Sequence, residues 1–472
     1  MSPTKRVHFI GIGGCGMSAI AHVLLALHYQ VSGSDMKEST NTIRLKELGA
    51  KINIGHETIN IRDAQIIVYS SAIKEDNPEI KEARALNLPV FGRAQMLGYL
   101  MSLYQDSIAV AGTHGKTTTS SMMAVVLAHA GLDPTFMIGG EVTNLKSNGN
   151  YGASRYFVAE ADESDGSITH LNPQYFILTN IEKDHMDHFG SLDDIIALFE
   201  TCALRLAEKP NHLLVINSEQ WGNAMLLQRL EGKPINILSY GLDEKAQLRA
   251  TNIRYKGKGS SFSVIKNGVL LGDIELSIPG EHNVVNALAV IGVSQHLGLD
   301  FLKIKLALKT FTGAKRRFTL VGKAAGISVY DDYAHHPTEI AATLRAARLV
   351  YPKARLICAF QPHRYSRTLC FLPEFAESLN LADKIILTSI YGAGEKPIDG
   401  VNAEMIAQKI PADKVTYIDK KDDIADFLEK ELLEGDVFFT LGAGDIYTVG
   451  KEILNRKKNQ AKSHADNLLR IA

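Results

Sequence analysis

Two glycine loops, each set between an apolar run and a helix-like stretch, constrain this chain more than any other feature. Residues 6–28 read RVHFIGIGGCGMSAIAHVLLALH, and residues 107–121 read SIAVAGTHGKTTTSS. A strand that enters a glycine turn and leaves as a helix opens a parallel βαβ unit. The chain has 472 residues, beyond the roughly 250–300 at which one hydrophobic core stops growing, so the two openings belong to separate domains.

Alternation continues on both sides. IIVYSSAI and LPVFGR extend the first unit, while YFVAEADESD, YFILTNIEKDH, HLLVINSE and NILSYG extend the second. Short, apolar strands separated by helices predict parallel sheets covered on both faces. Residues 248–279 change period and are broken by KGKGS and NG, which predicts antiparallel hairpins. PGEHNVVNALAVIGVSQHLG restores a helix, GAKRRFTLVGKAAG reads as a join, and ISVYDDYAHHPTE with RLICAFQPHRYSRT begins a third alternating unit. The expected division is 1–100, 101–314 and 315–456, followed by a polar, frayed tail at 457–472.

Lys plus Arg number 51 against 52 Asp plus Glu, so no global field recruits nucleic acid or an anionic membrane surface. No uncharged apolar run reaches the length of a spanning helix. The four cysteines are widely spaced, which suits reduced thiols, and the N-terminus runs directly into a strand. A cytoplasmic protein is expected.

Gly11, Gly13 and Gly16 fit GxGxxG, with Asp35 at the end of the next strand. Glycines let backbone approach a diphosphate, and a helix N-terminus supplies amide donors. The pattern admits a nicotinamide dinucleotide and hydride chemistry, a nucleotide-diphosphate sugar, or a tight turn that binds nothing. The second loop says more. Gly112 and Gly115 curl backbone around phosphate, Lys116 reaches terminal phosphates, and the Thr117 hydroxyl offers itself to magnesium. Val110 stands where a Walker A motif has its first glycine. Metal ligands should emerge from the carboxyl ends of neighbouring strands, where Glu160 and His185 lie. The spacing of His185, Asp187 and His188 leaves a zinc site as the alternative.

In order, HFIGIGGCGMSAIA, SGSD, SSAI, AVAGTHGKTTT, AEADESD, TNIEKDHMDH, PGEHNVVNALA, RRF, DDYAHHPTE and FQPHRYSRT resemble the Mur ligase family over nearly the whole chain. The resemblance implies an α/β protein of three domains: N-terminal Rossmann-like and UDP-binding, central P-loop ATPase-like with antiparallel hairpins, and C-terminal Rossmann-like. It implies that ATP phosphorylates the lactyl carboxylate of UDP-N-acetylmuramate and that L-alanine attacks the acyl phosphate, with Mg2+ as cofactor. Carried over by motif, Gly11, Gly13, Gly14, Gly16, Asp35, Ser70 and Ser71 would hold the UDP-sugar. Gly112, Thr113, Gly115, Lys116, Thr117, Thr118, Asn283, Asn286, Arg317, Asp331 and Asp332 would hold ATP. Read without the family, the two asparagines would be a helix cap and its neighbour. Thr117, Glu160 and His185 would hold the metal, Arg364 and Arg367 the amino-acid carboxylate, and His335 would orient or deprotonate the amine. The helix LDDIIALFETCALRL lacks the carbamylated lysine of several sister ligases, and Glu200 is the candidate substitute. Attachment of a preformed tripeptide to the same sugar, and a non-catalytic ATP and UDP-sugar switch, are the alternative functions.

Overall fold

The computed structural model describes residues 5–186 and 188–471, with side chains described as far as Gln460. Three sheets follow one another along the chain. The first has five parallel strands in the spatial order Lys51–Ile54, Gln30–Asp35, Arg6–Ile10, Ile66–Tyr69 and Val90–Gly92. Chain order reverses beside Arg6–Ile10, so the first glycine loop opens at the topological switch point, where open α/β sheets bind ligands.

The central sheet has ten strands. Its parallel middle runs Leu213–Asn217, Tyr175–Leu178, Asp106–Ala111 and Tyr156–Glu160. At one edge, Leu248–Lys256, Gly259–Lys266 and Val269–Leu276 form the expected antiparallel hairpins. Asn267 and Gly268 take φ of 49° and 81°, the two positive values that a tight two-residue hairpin turn demands. The other edge holds two strands absent from the sequence reading, Thr135–Val142 and Ser147–Asn150. Both matter below.

The third sheet runs Thr319–Ala324, Ile327–Asp332, Val437–Leu441, Leu356–Phe360, Lys384–Leu387 and Val415–Tyr417. Its first strand is antiparallel to the second. That strand corrects the reading of TLVGKA as part of a join. It obscures itself in sequence because a bulge between Leu320 and Gly322 breaks its alternation. The segment read as a frayed tail lies largely within the helix Tyr447–Ile471.

One apolar cluster runs from the first domain into the central one, joining Phe9, Ile20, Leu24 and Leu100 to Phe157, Phe176 and Phe199. The strand Ser147–Asn150 seals this contact. His22 donates to Gly149 O at 3.2 Å, and Asn148 Nδ2 donates to Cys15 O at 3.1 Å. Two further clusters cover the two faces of the third sheet, and among the described residues neither includes a member from the other domains.

Candidate active site

The strand Asp106–Ala111 is buried along its whole length and delivers the second loop at its carboxyl end. Gly112 has φ of 121°, and a Cβ there would fall 2.7 Å from Asn180 O. The loop is stapled to the segment after strand Tyr175–Leu178. Thr113 N donates to Asn180 O at 3.0 Å, His114 N to Asn180 Oδ1 at 2.8 Å, and Thr179 Oγ1 to His114 O at 2.6 Å. Gly115, with φ of 82°, caps the helix Lys116–His129. Its amides are thereby aimed outward, as anion binding requires.

A cavity of about 430 Å³ opens above this loop and is shared by all three domains. Gly14, Gly16, Ser70 and Ser71 line it from the first domain; Thr113, Gly115, Lys116, Thr117, Glu160 and His185 from the central one; Arg317 and His335 from the third segment. The two glycine loops therefore face one space.

Thr117 Oγ1 donates to Glu160 Oε1 at 3.1 Å, and the other carboxylate oxygen accepts from Gly139 N at 2.8 Å. Gly139 lies on the unforeseen strand Thr135–Val142. A Cβ there would meet Glu160 Oε2 at 2.8 Å, so the glycine admits the carboxylate. His185 sits at φ of 53°, unusual for a residue with a side chain. Burial lowers its pKa, with the Asp184 charge opposing, so a neutral imidazole with a free lone pair is favoured. A hydroxyl, a carboxylate and a neutral imidazole around one polar cavity form a donor set that fits a divalent cation. The alternative zinc trio includes Asp187, which lies outside the described residues; His188 is turned against Phe189, with ring centroids 4.7 Å apart. Glu200 does not line the cavity and stands 3.4 Å from Arg229. Its charge is paired between the helices Leu192–Arg205 and Trp221–Arg229, away from the cavity lining in which the substitute for the missing lysine would have to stand.

Lys116 Nζ donates to Gly112 O at 2.6 Å and to both oxygens of Glu163, at 3.0 and 2.9 Å. Burial alone would lower the Lys116 pKa, but Glu163, Asp162 and Glu160 together raise it, so the ammonium stays charged. Burial pushes Glu163 up to about 7, with Lys116 pulling down and Asp162 pushing up. One ammonium does not neutralise three carboxylates.

Several expected residues support the cavity without lining it. Asp35 Oδ2 accepts from Gly13 N at 2.8 Å, so this carboxylate fixes the first loop. Asn286 lies under Gly115, whose added Cβ would meet Asn286 Oδ1 at 2.8 Å. Asn283 Nδ2 donates to Pro279 O at 2.6 Å, and the helix cap is Gly280, so the capping alternative for the asparagines is not what forms. Asp331 accepts from Thr440 Oγ1 at 2.9 Å and Arg316 Nε at 3.1 Å. Asp332 accepts from Phe318 N and Ala334 N at 2.7 and 2.8 Å. Asp332 holds the backbone beside Arg317 and Asp331 holds the Arg316 side chain, and neither lines the cavity. Arg367 Nη2 donates to Asp184 Oδ1 at 2.7 Å with both side chains buried, so its guanidinium is engaged between domains. Arg364 begins the helix Tyr365–Cys370 at φ of 70°. Gly11, Gly112 and Thr118 are likewise outside the lining set.

Three family models match in succession: Mur ligase family, catalytic domain, at 6–105; Mur ligase middle domain at 110–294; and Mur ligase, glutamate ligase domain, at 316–444. The chain belongs to the Mur ligase family. Among its relatives is the UDP-N-acetylmuramate–L-alanine ligase of Geobacter sp. (strain M21), 46% identical over 97% of this chain and 99% of that one. The corresponding ligase of Pelotomaculum thermopropionicum is 45% identical over 98% and 100%. Among solved structures, the UDP-N-acetylmuramate-alanine ligase of Thermotoga maritima superposes with a TM-score of 0.81 at 30% identity, covering 96% and 99%. A murein peptide ligase from Psychrobacter arcticus reaches 0.71 at 26%, over the same shares. Family membership removes the dehydrogenase reading of the first loop.

Sequence reading of this Mur ligase missed three charged side chains that line the cavity, Arg93, Asp162 and Glu339, and one behind it, Glu163. Arg93 opens the helix Arg93–Ser102 beside Gly16 and lies 3.5 Å from Asp162. Glu163 covers Lys116, and Glu339 stands 3.6 Å from Arg317. The runs AEADESD and GRAQML did carry a signal, since each places a charge at a strand's carboxyl end.

Proposed function

We propose that this chain joins L-alanine to the lactyl carboxylate of UDP-N-acetylmuramate at the expense of ATP, acting in the cytoplasm on a precursor of peptidoglycan. The observation that carries the reading is the single cavity faced by both glycine loops, the Thr117–Glu160–His185 group, Arg317 and His335. The first loop and Ser70 and Ser71 would bind the diphosphate of the sugar nucleotide, with Arg93 as the nearby cation. The second loop would cradle the triphosphate.

A lactyl carboxylate oxygen attacks the γ-phosphorus, the bond to the β-bridging oxygen breaks, and ADP leaves. Lys116 and Arg317 offset charge on the phosphoryl oxygens as they pass between the two loops. Thr117, Glu160 and His185 would hold Mg2+, which would supply positive charge to offset that of the phosphates. The alanine amine then attacks the acyl carbon, and inorganic phosphate departs from the tetrahedral adduct.

His335 would orient that amine. Its Nδ1 bonds to Tyr333 O at 2.9 Å, which leaves Nε2 as the lone-pair atom. Burial holds its pKa down to about 4, with Glu339 opposing, so the ring is neutral at pH 7 and accepts a hydrogen bond rather than storing a proton. Arg364 would meet the alanine carboxylate, with Arg367 behind it.

ADP release is measured with magnesium, ATP and UDP-N-acetylmuramate, offering L-alanine, glycine, L-serine or the tripeptide, and the product is weighed. An amide mass with L-alanine supports the reading. Preference for the tripeptide transfers the chemistry to the recycling reaction, and no amide from any acceptor overturns it.

A further inference from the structure

His114 is the residue of the ATP loop whose chemistry the reaction leaves unused. Its backbone is fixed to the central domain by Asn180 and Thr179, as described above. Its ring reaches out of that domain. Nδ1 lies 3.3 Å from Glu339 Oε1, in the first turn of the third domain's helix Pro337–Val350, and Nε2 lies 3.5 Å from Glu182 Oε2. Glu182 Oε2 in turn accepts from Thr338 Oγ1 at 2.7 Å, across the same boundary.

We propose that His114 is a positioning residue that ties the ATP loop to the third domain, its imidazolium held between Glu182 and Glu339 so that nucleotide binding and closure over the amino acid are coupled. The inference rests on the ligase reading above.

Two carboxylates on one ring decide its charge. A neutral imidazole carries one N–H and one lone pair, and the lone pair would face a carboxylate; an imidazolium turns positive charge towards both, as an ion pair rather than a hydrogen bond at Nε2, which is buried without a hydrogen-bond partner. Burial lowers the pKa of His114, but the interactions with Glu182 and Glu339 outweigh it and raise it to about 9. The other groups facing the ring do not compete. His336, whose ring centroid is 4.5 Å away, is held neutral by burial, His335 likewise, and Asp184 is matched by Arg367. Arg317 balances the second carboxylate through Glu339.

Ligand atoms of His114, Glu182 and His336 fall within 4.8 Å of one another, which also suggests a cation site. His336 Nδ1, however, accepts from Thr338 N at 3.3 Å, so its neutral ring carries hydrogen on Nε2, the atom a metal would need. The positive charge at this junction is the proton on His114.

The sign of the pH dependence follows. A histidine whose folded pKa is raised contributes fully below its unfolded value near 6.5, and the contribution is lost as pH rises through about 9. The test uses the full chain as wild type, His114→Gln, Glu182→Gln and the double variant. kcat/KM for L-alanine is followed from pH 6.5 to 10, ATP affinity is measured at equilibrium, and compaction with a non-hydrolysable ATP analogue is read by small-angle scattering. Each single variant should lower kcat/KM at pH 7 by about tenfold or more. The double variant should be no worse than the poorer single one. ATP affinity should fall too, by no more than the loss in kcat/KM, because coupling is reciprocal, and the wild-type-to-variant ratio should fall towards one near pH 10. A ratio independent of pH, losses that multiply in the double variant, or compaction of the variants equal to that of the wild type would overturn the coupling. A wild type that forms no amide refutes the ligase reading alone; scattering then decides the coupling, since equal compaction of wild type and variants refutes it and compaction of the wild type only supports it.

Discussion

The central domain meets its two neighbours through interfaces of opposite chemistry. Towards the first domain it shares an apolar cluster and side-chain hydrogen bonds to backbone carbonyls, with the Arg93–Asp162 pair at the cavity as an ion pair, and Gly149 is pressed so closely on Ala19 that an added Cβ would lie 2.8 Å from the alanine methyl. Towards the third it offers charges: Asp184 to Arg367, Glu182 to Thr338, His114 to Glu339, and Glu141 to Lys315. Apolar burial is non-directional and is lost steeply when surfaces part. Ion pairs exchange for water and can be remade. On the proposed reading, the two glycine loops are held in one fixed relation, while the side of the cavity closed by the third domain would open and close.

The comparison breaks most severely at Arg367. Arg367→Ala leaves Asp184 buried without its cation, a change that costs about 3–5 kcal/mol in comparable pairs. kcat for amide formation should fall at least about a hundredfold, while affinity for UDP-N-acetylmuramate, measured by calorimetry, stays at the wild-type value. If the sugar nucleotide is lost as well, the two interfaces are not independent. Acidification probes the same pair. Burial would raise the Asp184 pKa, but the Arg367 charge, together with the hydrogen bonds from Arg367 and the neighbouring His185 and His336, holds it well below the usual carboxylate range, so this contribution is present above about pH 4 and is lost only in stronger acid.

Gly149→Val attacks the other interface. Overpacking there should lower stability by about 1–3 kcal/mol, seen as an earlier thermal transition, with KM for L-alanine unchanged. A rise in that KM would mean the first domain also moves during turnover.

Glu163→Gln tests the loop itself. Removing the anion that occupies Lys116 should lower KM for ATP by about three- to tenfold. Burial pushes the Glu163 carboxyl up to about 7, so in the wild type it ionises and competes more as pH rises from 6 to 8. KM for ATP should rise over that range in the wild type and stay flat in the variant; parallel curves would exclude Glu163 as the competitor. The smallest effect belongs to Lys315→Ala. Its pair with Glu141 is solvent-exposed, and its loss should change closure by under about 1 kcal/mol, visible only as a slightly weaker salt dependence of kcat/KM.

Local chemistry was the legible part of the sequence. Lys116 and Thr117 follow their glycines in the same turn, and Glu160 and His185 sit just past strands that betray themselves by composition. Residues whose meaning depends on which domain faces them were not legible. Arg316 and Arg317 are adjacent, yet Arg316 turns into the third domain towards Asp331 and Gly442 O, while Arg317 enters the cavity. The φ values of 61° at Arg316 and 48° at Phe318 make that divergence, and no side-chain pattern announces them. Arg93, Glu182 and Glu339 gain their partners only when the sheets come together. The strand Thr135–Val142 escaped because two glycines interrupt it, one of which makes room for Glu160.

The bond between Glu163 and Lys116 carries a consequence for discrimination among anions. A carboxylate joined to the ammonium through both oxygens already supplies what a free orthophosphate would bring, so a single phosphate gains little by displacing it. A triphosphate arrives with further contacts along the loop amides and can offset that loss. The loop thereby screens out its own product: orthophosphate should inhibit Glu163→Gln at lower concentrations than it inhibits the wild type, and equal inhibition would deny the carboxylate this role.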